Sequence, residues 1–325
     1  MEAANAVREA RGFAKLINAV LRRVTRDGPA LFEAQPPGAD LPNWLYTRWR
    51  AAYGAQAEAI ARALRDEPPL DFSVKQDAAG WAERLGGALT PTGSVRVRQA
   101  TVDQLPGFSD GAWWVQDAAA ALPARMLGDV GGKHVLDLCA APGGKTLQLA
   151  AAGARVTAVD KIEDRLVRLR ENLLRTHLEA EVVRGDALTL RAKVQFDAVL
   201  LDAPCTSTGT LRRHPDVAWL RRPTDVRQLS ELQGQLIAAA SKMIKPGGTL
   251  VYAVCSLEPE EGPGVAADAV KSGAWTRAPI ARGEIAGADD FITAEGDLRT
   301  LPSHWPEIGG LDGFYAVRLV RSSAG

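Results

Sequence analysis

The sequence predicts a doubly wound α/β fold preceded by smaller helical and α/β pieces. A strand, a tight glycine loop and a helix follow one another at residues 135–152. Three further apolar runs of strand type come after this junction, and each ends in an acidic residue. With 325 residues the chain is long enough for one large α/β domain and smaller N-terminal pieces.

Composition excludes several classes of protein. The 39 basic and 39 acidic residues balance, so contact with nucleic acid would depend on local basic patches. Three cysteines and four scattered histidines form neither a disulfide framework nor a zinc site, so we expect no metal. No apolar run approaches the length of a membrane span, and no secretory core is present at the N-terminus. We therefore expect a soluble, cytoplasmic protein, without membrane contact, that acts as a monomer.

The first segment is predicted to be one amphipathic helix that runs through about residue 26 and is ended by Gly28-Pro29. Its apolar positions are Phe13, Leu16, Ile17, Val20, Leu21 and Val24. Basic side chains cover the other side, where a solvated surface is the favoured interpretation and RNA contact the alternative. Because so wide an apolar stripe needs a partner surface, we interpret residues 1–28 as the last helix of a domain that is mostly missing.

Residues 29–104 are predicted to form linker helices and a small α/β subdomain. The segment 29–42 is rich in proline and glycine, and two short helices should follow it before Pro68-Pro69. Short strands are expected at 70–75 and 94–98, around a helix that contains Trp81. The main domain then covers 105–325 and should begin with a helix over 114–127.

The strand–loop–helix junction indicates a ligand site. Val135 to Leu138 form a short apolar strand, Pro142-Gly143-Gly144 break it, and helix-forming residues resume at Lys145. Such a loop brings bare backbone close to a ligand at a helix N-terminus. A P-loop is excluded because Cys139 stands where that motif needs glycine, and a dinucleotide fingerprint is excluded because these glycines are adjacent.

Acidic residues at successive strand ends narrow the ligand class. Asp160 ends the second predicted strand, 23 residues after Asp137, where a carboxylate can bind ribose hydroxyls. Asp186 and Asp202 end the third and fourth. These carboxylates would repel a pyrophosphate and suit a neutral or cationic adenosine ligand, for which S-adenosylmethionine is the natural candidate. The alternative is that they cap turns or the helices that follow.

Two cysteines follow neighbouring strands near the end of the domain. A helix is expected over 229–244, then a fifth strand over 249–255 and an edge strand over 313–320. Cys205 comes just after the fourth strand and Cys255 ends the fifth, which should bring both thiols to the carboxyl edge, where ligands bind in open sheets. The alternative is that both are ordinary core cysteines.

Paired thiols indicate methylation at carbon rather than at nitrogen or oxygen. Carbon 5 of a pyrimidine is a poor nucleophile, so methylating it requires a thiolate to add to carbon 6 first. A second group must then help the carbon 5 proton to leave and the adduct to break. A carboxyl at Asp202 could stabilise the protonated ring nitrogen during that addition. Transfer to an amine or a hydroxyl needs no thiol.

Three runs, 135–146, 201–219 and 251–261, resemble the RsmB/Sun/NSUN family of RNA (cytosine-5) methyltransferases, and most closely its bacterial small-subunit rRNA branch. The resemblance implies a Rossmann-like S-adenosylmethionine-dependent methyltransferase domain and a cytosine of RNA, 16S rRNA above all, as substrate. It also implies that the small α/β subdomain binds RNA. The stretch 18–23 resembles the tail of the NusB-like domain that precedes the bacterial enzymes.

The resemblance also implies roles for individual residues. Cys255 would be the nucleophile and Cys205 would assist product release, although Cys205 is a rival nucleophile because the DNA cytosine methyltransferases use a Pro-Cys thiol. Lys145 and the bound cofactor are the candidate positive charges that would lower the pKa of the attacking thiol. The residues expected to contact S-adenosylmethionine are Cys139, Ala140, Ala141, Pro142, Gly143, Gly144, Lys145, Asp160, Asp186 and Asp202.

Two other functions remain open from the sequence. The substrate could be tRNA, since nothing in the motifs names the RNA, or the chain could be a weakly active RNA-binding assembly factor. Basic residues after Cys205 are expected to contact RNA phosphates, with a solvated surface as the alternative. These residues are Arg212, Arg213, Arg221, Arg222 and Arg227, interleaved with His214 and Trp219.

Overall fold

Residues 2–192 and 194–322 are described by the computed structural model, and they divide into two units at Leu41–Pro42. The first unit contains α1 (Glu2–Ala6), a 3₁₀ turn (Arg11–Phe13) and α2 (Ala14–Glu33).

The predicted end of the first long helix was wrong, because α2 continues seven residues beyond residue 26 and contains Pro29. A proline removes one backbone hydrogen bond, which a twenty-residue helix can tolerate. No described residue of α2 is buried, and Leu16 is 61% exposed. Of the six apolar positions predicted from the sequence, Ile17 is half-buried and the other five are exposed.

The second unit opens with two helices and a small antiparallel sheet whose strand order is β2-β3-β1-β4. Their bounds are α3 Asn43–Tyr53, α4 Gln56–Ala63, β1 Leu70–Val74, α5 Ala78–Arg84, β2 Ala88–Leu89, β3 Val95–Val97 and β4 Trp113–Val115. The two predicted strands and the helix between them are confirmed.

The helix expected over 114–127 was wrong for most of its length. Residues Trp113–Val115 pair with β1, and only α6 (Leu122–Arg125) is α-helical in this stretch. The ring of Trp113 packs against Phe72 of β1 with centroids 4.4 Å apart. Aromatic side chains that pack on a pleated surface favour the strand, so tertiary pairing decided the conformation.

The large sheet has the order β10-β12-β9-β8-β5-β6-β7, with β11 also paired to β12. Its strands are β5 His134–Leu138, β6 Arg155–Asp160, β7 Glu181–Arg184, β8 Phe196–Asp202, β9 Ile244–Val254, β10 Trp275–Arg277, β11 Leu298–Thr300 and β12 Phe314–Arg321. Its helices are α7 Gly144–Ala151, α8 Glu163–Thr176, α9 Val217–Leu220, α10 Pro223–Ala240 and α11 Val265–Lys271. Every neighbouring pair within strands β5 to β9 is parallel. Every pair that β12 forms, with β9, β10 and β11, is antiparallel.

The position of one strand and the boundary between one helix and the strand after it differ from the predictions. The strand expected at the sheet edge, β12, lies between β9 and β10. Side chains on both of its faces are buried, including Phe314 and Tyr315, as an interior strand requires. Helix α10 ends at Ala240, and β9 already begins at Ile244, because the 245–248 turn is accommodated as a bulge against β8.

The large sheet is covered on both faces. Along β5, Val135 packs into one apolar cluster, while Leu136 and Leu138 pack into the other. The chain moves outward from β5 in both directions, to β6 on one side and to β8 on the other, so a crevice opens at the carboxyl end of this pair. In the described part of the chain, no helix is both long enough and apolar enough to cross a membrane.

Candidate active site

The predicted strand–loop–helix junction is confirmed and lies at this crevice. The loop turns sharply at Cys139, with a φ of 60°, and at Gly143, with a φ of 110°. A side chain at position 143 would be strained by that φ and would also approach Leu169 of α8 to 3.1 Å. Helix α7 starts directly afterwards, at Gly144. The loop backbone is thereby held against the start of a helix, as the sequence predicted.

A cavity of about 270 Å³ opens beside the loop. Its lining combines the acids Asp160 and Asp186 with the apolar side chains of Ile162, Leu188 and Leu232. Carboxylates accept hydrogen bonds from hydroxyls and attract a positive charge, and apolar walls suit the faces of a base. The donor set therefore fits S-adenosylmethionine. Of the other predicted cofactor residues, Cys139 also lines this cavity.

Asp160 has two roles that the sequence presented as alternatives. Its carboxylate lines the cavity and also accepts hydrogen bonds from the backbone N–H groups of Ala141 (3.2 Å) and Ile162 (3.0 Å). Arg165 lies 3.4 Å away as an ion-pair partner. Asp186 accepts from the N–H of Leu188 at 2.9 Å and is exposed. Both acids hold the turns that shape the cavity.

Asp137, in the strand β5 that precedes the glycine loop, was not among the predicted site residues. Asp137 is fully buried in β5, and one carboxylate oxygen accepts a 2.6 Å hydrogen bond from Thr146. The other oxygen has no partner. Burial raises the pKa of Asp137 to about 7, and the hydrogen bond from Thr146 opposes that rise. An acid inside an otherwise apolar strand was the signal that could have identified it.

The two predicted thiols meet. Cys205 Sγ and Cys255 Sγ lie 3.4 Å apart, because β8 and β9 are paired neighbours with Asp202 opposite Ala253. Cys205 is buried and Cys255 is partly exposed. The prediction that both thiols reach the carboxyl edge together is confirmed.

The two thiols are electronically unequal. The pKa of Cys255 is lowered, chiefly by the hydrogen bond from Cys205 and further by the charge of Lys145. The pKa of Cys205 is raised, because it gives that hydrogen bond and is buried. The sequence indicated Lys145 as a source of positive charge, but the larger effect of the neighbouring thiol depends on a distance that no sequence states.

Lys145 and Asp202 form an ion pair beside the thiols. Lys145 Nζ donates to Asp202 Oδ2 at 2.8 Å and lies 5.1 Å from the ring centre of Phe314. Burial works to lower the pKa of Lys145, but the attraction of Asp202 outweighs it and the pKa is raised. The ammonium group therefore stays charged. The structure places Asp202 in this pair, and Asp202 does not line the cavity.

Glu261 joins the two thiol-bearing loops and was not predicted from the sequence. Its buried carboxylate accepts hydrogen bonds from the N–H of Thr206 (2.8 Å) and the side chain of Gln233 (3.0 Å). The second oxygen accepts from the hydroxyls of Ser256 (2.6 Å) and Thr206. Thr206 follows Cys205 and Ser256 follows Cys255, so one side chain sets the relative position of both.

Helix α3 packs against the same segment. Glu258 accepts hydrogen bonds from Arg48 Nε at 2.6 Å and from Trp49 Nε1 at 3.0 Å. The hydroxyl of Tyr53 donates to the carbonyl of Leu257. The chain just beyond Cys255 is therefore held from the outside by α3.

The predicted basic cluster is divided by the structure. Arg212 is buried, Arg213 pairs with Asp312, and Arg221 donates to the carbonyls of Thr206 (3.1 Å) and Cys205 (3.4 Å). These three are engaged with the protein itself or enclosed by it. The two members at the end of the cluster, Arg222 and Arg227, are exposed. Among the residues that the structure describes, no group of His, Cys, Asp and Glu side chains is arranged to hold a metal.

Comparison with known proteins identifies the family of the chain. Residues 124–320 match the family model of the 16S rRNA methyltransferase RsmB/F. The ribosomal RNA small subunit methyltransferase B of Erwinia tasmaniensis is 38% identical over 94% of this chain and 73% of its own length. The protein of the same name from Serratia proteamaculans is 42% identical over 76% of this chain and 62% of its own length.

A solved structure shows the same fold. The crystal structure of a methyltransferase homologue protein from Pyrococcus horikoshii superposes with a TM-score of 0.71 and 27% identity, and the match covers 85% of this chain and 93% of that one. The large domain therefore has the Rossmann-like fold of the S-adenosylmethionine-dependent methyltransferases. The chain spans between 62% and 73% of the length of the two curated relatives.

Proposed function

Because the chain belongs to the 16S rRNA methyltransferase RsmB/F family of S-adenosylmethionine-dependent enzymes, we propose that it methylates carbon 5 of a cytosine in RNA. The observation that carries the proposal is the contact of two unequal thiols, Cys205 and Cys255, beside the Lys145–Asp202 pair. A methyltransferase for nitrogen or oxygen has no use for such a pair of thiols.

The attacking group in this proposal is Cys255. It is the more exposed thiol, and its pKa is the lowered one, so more of it is present as the thiolate near neutral pH. Its sulfur forms a bond to carbon 6 of the cytosine, the double bond between carbons 5 and 6 is used, and carbon 5 becomes nucleophilic. When bound, S-adenosylmethionine supplies an electrophilic methyl group.

The remaining site residues control protons and charge. To Asp202 we assign the stabilisation of the protonated ring nitrogen while the sulfur adds, and the hydrogen bond from Lys145 supports its position. After methylation, the proton on carbon 5 must leave to a base as the bond between sulfur and carbon 6 breaks. That step restores the ring double bond and the Cys255 thiolate. We assign the role of that base to Cys205, whose sulfur contacts that of Cys255. While Cys255 is bonded to carbon 6, it no longer takes the hydrogen bond that chiefly raises the pKa of Cys205, so the Cys205 thiolate is available to accept the proton.

The proposed substrate is 16S rRNA, on the strength of what the relatives are named for. The decisive experiment incubates the protein and methyl-labelled S-adenosylmethionine with RNA from cells lacking the gene, followed by mapping of 5-methylcytosine. Label at a cytosine of 16S rRNA supports the proposal. Label in tRNA would make tRNA the substrate instead, and the absence of 5-methylcytosine would overturn the proposed cytosine-5 methylation.

The roles of the two cysteines can be distinguished by the covalent protein–RNA complex that accumulates in each variant. Cys255→Ala should abolish both methylation and any covalent complex with RNA. Cys205→Ala should slow the attack, because Cys205 lowers the pKa of Cys255, but should still allow attack and methyl transfer while stalling release, leaving protein attached to RNA on a denaturing gel. The reverse pattern would make Cys205 the nucleophile.

A further inference from the structure

An exposed aromatic side chain stands next to the thiol-bearing loop. In the short helix α9, Ala218 is buried, while Trp219 is 67% exposed and Leu220 is 70% exposed. The buried residue attaches the helix to the protein, so its two large apolar side chains face solvent. A tryptophan this exposed offers a flat apolar surface that is free to receive a ligand.

The position of this helix is fixed relative to Cys205. At its C-terminal end, the guanidinium group of Arg221 donates to the carbonyls of Thr206 at 3.1 Å and Cys205 at 3.4 Å. Trp219 lies two residues earlier, at most about 7 Å along the chain. Before the helix, the backbone N–H groups of Arg213 and His214 both donate to the carbonyl of Thr210 at 3.0 Å. The indole is thus carried on a segment tied to the active-site loop at both ends.

The surroundings of the indole are basic. Between residues 211 and 228 there are five arginines and two aspartates, in a chain whose overall charge is zero, and one of the five, Arg213, is paired with Asp312. Arg222 follows Trp219 by three residues and is exposed, as is Arg227. Arg227 also pairs with Glu231 at 3.9 Å, and because this pair is exposed to solvent a phosphate can replace it. An exposed aromatic ring beside exposed guanidinium groups is the combination with which proteins hold single-stranded nucleic acid.

We propose that Trp219 is a stacking platform for a base that flanks the target cytosine, with Arg222 and Arg227 against the neighbouring phosphates. The inference rests on the proposed function, since it takes RNA as the ligand. A cytosine that reaches Cys255 must leave its stack, and an adjacent base then loses a stacking partner. An indole fixed beside the loop replaces that partner, and it does so without reading sequence, because every base has a π-face.

The test is a binding cycle that does not depend on turnover. The probe is a single-stranded RNA of about nine nucleotides, within the usual footprint of such binders, with one central cytosine among uridines. In a second series, each flanking uridine is replaced in turn by an abasic residue. Fluorescence anisotropy gives the Kd of every probe for the full chain and for Trp219→Ala.

Trp219→Ala should raise the Kd of the intact probe between about fivefold and 150-fold, the range that stacking of one base on an aromatic ring contributes. An abasic residue at one flanking position should weaken binding to the unmodified chain by a similar factor and have no further effect on Trp219→Ala. Trp219→Phe should retain most of the affinity. Leu174→Ala, at an exposed apolar position of α8, is the matched control and should bind as the unmodified chain does.

Equal Kd values for Trp219→Ala and the unmodified chain on every probe would overturn the inference, as would failure of the unmodified chain to bind the probe. Additive effects at every abasic position would also overturn it, because the indole would then contact no particular base. If Trp219→Ala binds RNA normally but no longer captures a ribosomal protein, the surface is a protein-docking site and the inference is wrong. Mapping of 5-methylcytosine tests the proposed function separately, so the two failures can be told apart.

Discussion

Replacing Glu261 by glutamine should separate the two thiols while leaving the fold intact. The carboxylate accepts four hydrogen bonds, from the N–H of Thr206, the side chain of Gln233, and the hydroxyls of Thr206 and Ser256. A glutamine retains one acceptor oxygen, which can serve Thr206 N–H and Gln233. Its amide N–H₂ group then faces the two hydroxyls, which must reverse from donating to accepting.

The cost of this change follows from the bonds affected. All four charge-assisted hydrogen bonds become neutral ones, and each conversion loses up to about 1 kcal/mol, so the free energy of unfolding should fall by up to about 4 kcal/mol. Glu261→Ala would be harsher, since it leaves two buried N–H donors and two hydroxyls without an acceptor, at about 1–3 kcal/mol each. Glutamine is therefore the informative substitution.

The assay combines urea unfolding, kcat and KM for methylation, and the rate at which iodoacetamide labels Cys255 at neutral pH. Glu261→Gln should lower kcat at least about tenfold and slow the labelling, because the pKa of Cys255 depends first on contact with Cys205. The KM for S-adenosylmethionine should not change, since Glu261 does not line the cavity.

Glu258→Gln is the matched control. Glu258 is a buried carboxylate three residues away that accepts from Arg48 and Trp49. Its replacement should cost stability but leave the labelling of Cys255 unchanged. If both variants lose kcat in proportion to stability, or if Glu261→Gln labels and turns over as the unmodified chain does, Glu261 has no role in positioning the thiols.

Three further predictions concern the cavity and the charges around it. Asp160→Ala should weaken the binding of S-adenosylmethionine, measured by calorimetry, and unchanged affinity would contradict the cavity assignment. The same substitution should lower Tm by several °C, because the carboxylate accepts hydrogen bonds from the N–H groups of Ala141 and Ile162. Lys145→Met should slow iodoacetamide labelling of Cys255, since it removes a positive charge that lowers the pKa of that thiol. Cys205→Ala should slow the labelling more, because the hydrogen bond from Cys205 is the larger cause of the lowered pKa. Faster labelling in either variant would contradict these causes. Burial raises the pKa of Asp137 in the folded state to about 7, whereas its pKa in the unfolded state is about 4. Between these two pH values the folded state binds more protons than the unfolded state, so the free energy of unfolding falls as the pH rises from about 4 to about 7. The stability of Asp137→Asn relative to the unmodified chain should therefore increase from about pH 4 to about pH 7 in urea titrations, and a constant difference would show that Asp137 ionises normally.

Local sequence was sufficient for the parallel strands β5 to β8 of the large sheet and for the place of the site. The strands β6 and β8 begin and end where their apolar runs and terminal acids predict, at Arg155–Asp160 and Phe196–Asp202. The glycine loop after β5 could be recognised because Pro-Gly-Gly interrupts the apolar run, and because glycine alone readily adopts the positive φ of 110° that Gly143 has in this turn. The meeting of Cys205 and Cys255 could be predicted because parallel neighbouring strands end at the same edge.

Pairing between distant segments decided what local pattern could not. Residues 114–121 have helix-forming composition in part, but β4 is a strand because its aromatic side chains pack against β1. The terminal strand β12 alternates as an edge strand would, yet it lies inside the sheet because β9 and β10 both pair with it. Neither partner is near in sequence, so no local signal reports the pairing.

The chemistry of the site also depended on distances between remote residues. The sequence identified the thiols, Lys145 and the strand-end acids as residue types suited to the reaction. It could not show that the Cys205 thiol is the chief cause of the lowered pKa of Cys255, or that Glu261 holds both loops, because hydrogen bonds act over about 3 Å. Residues fifty positions apart reach that separation only when the sheet between them has formed.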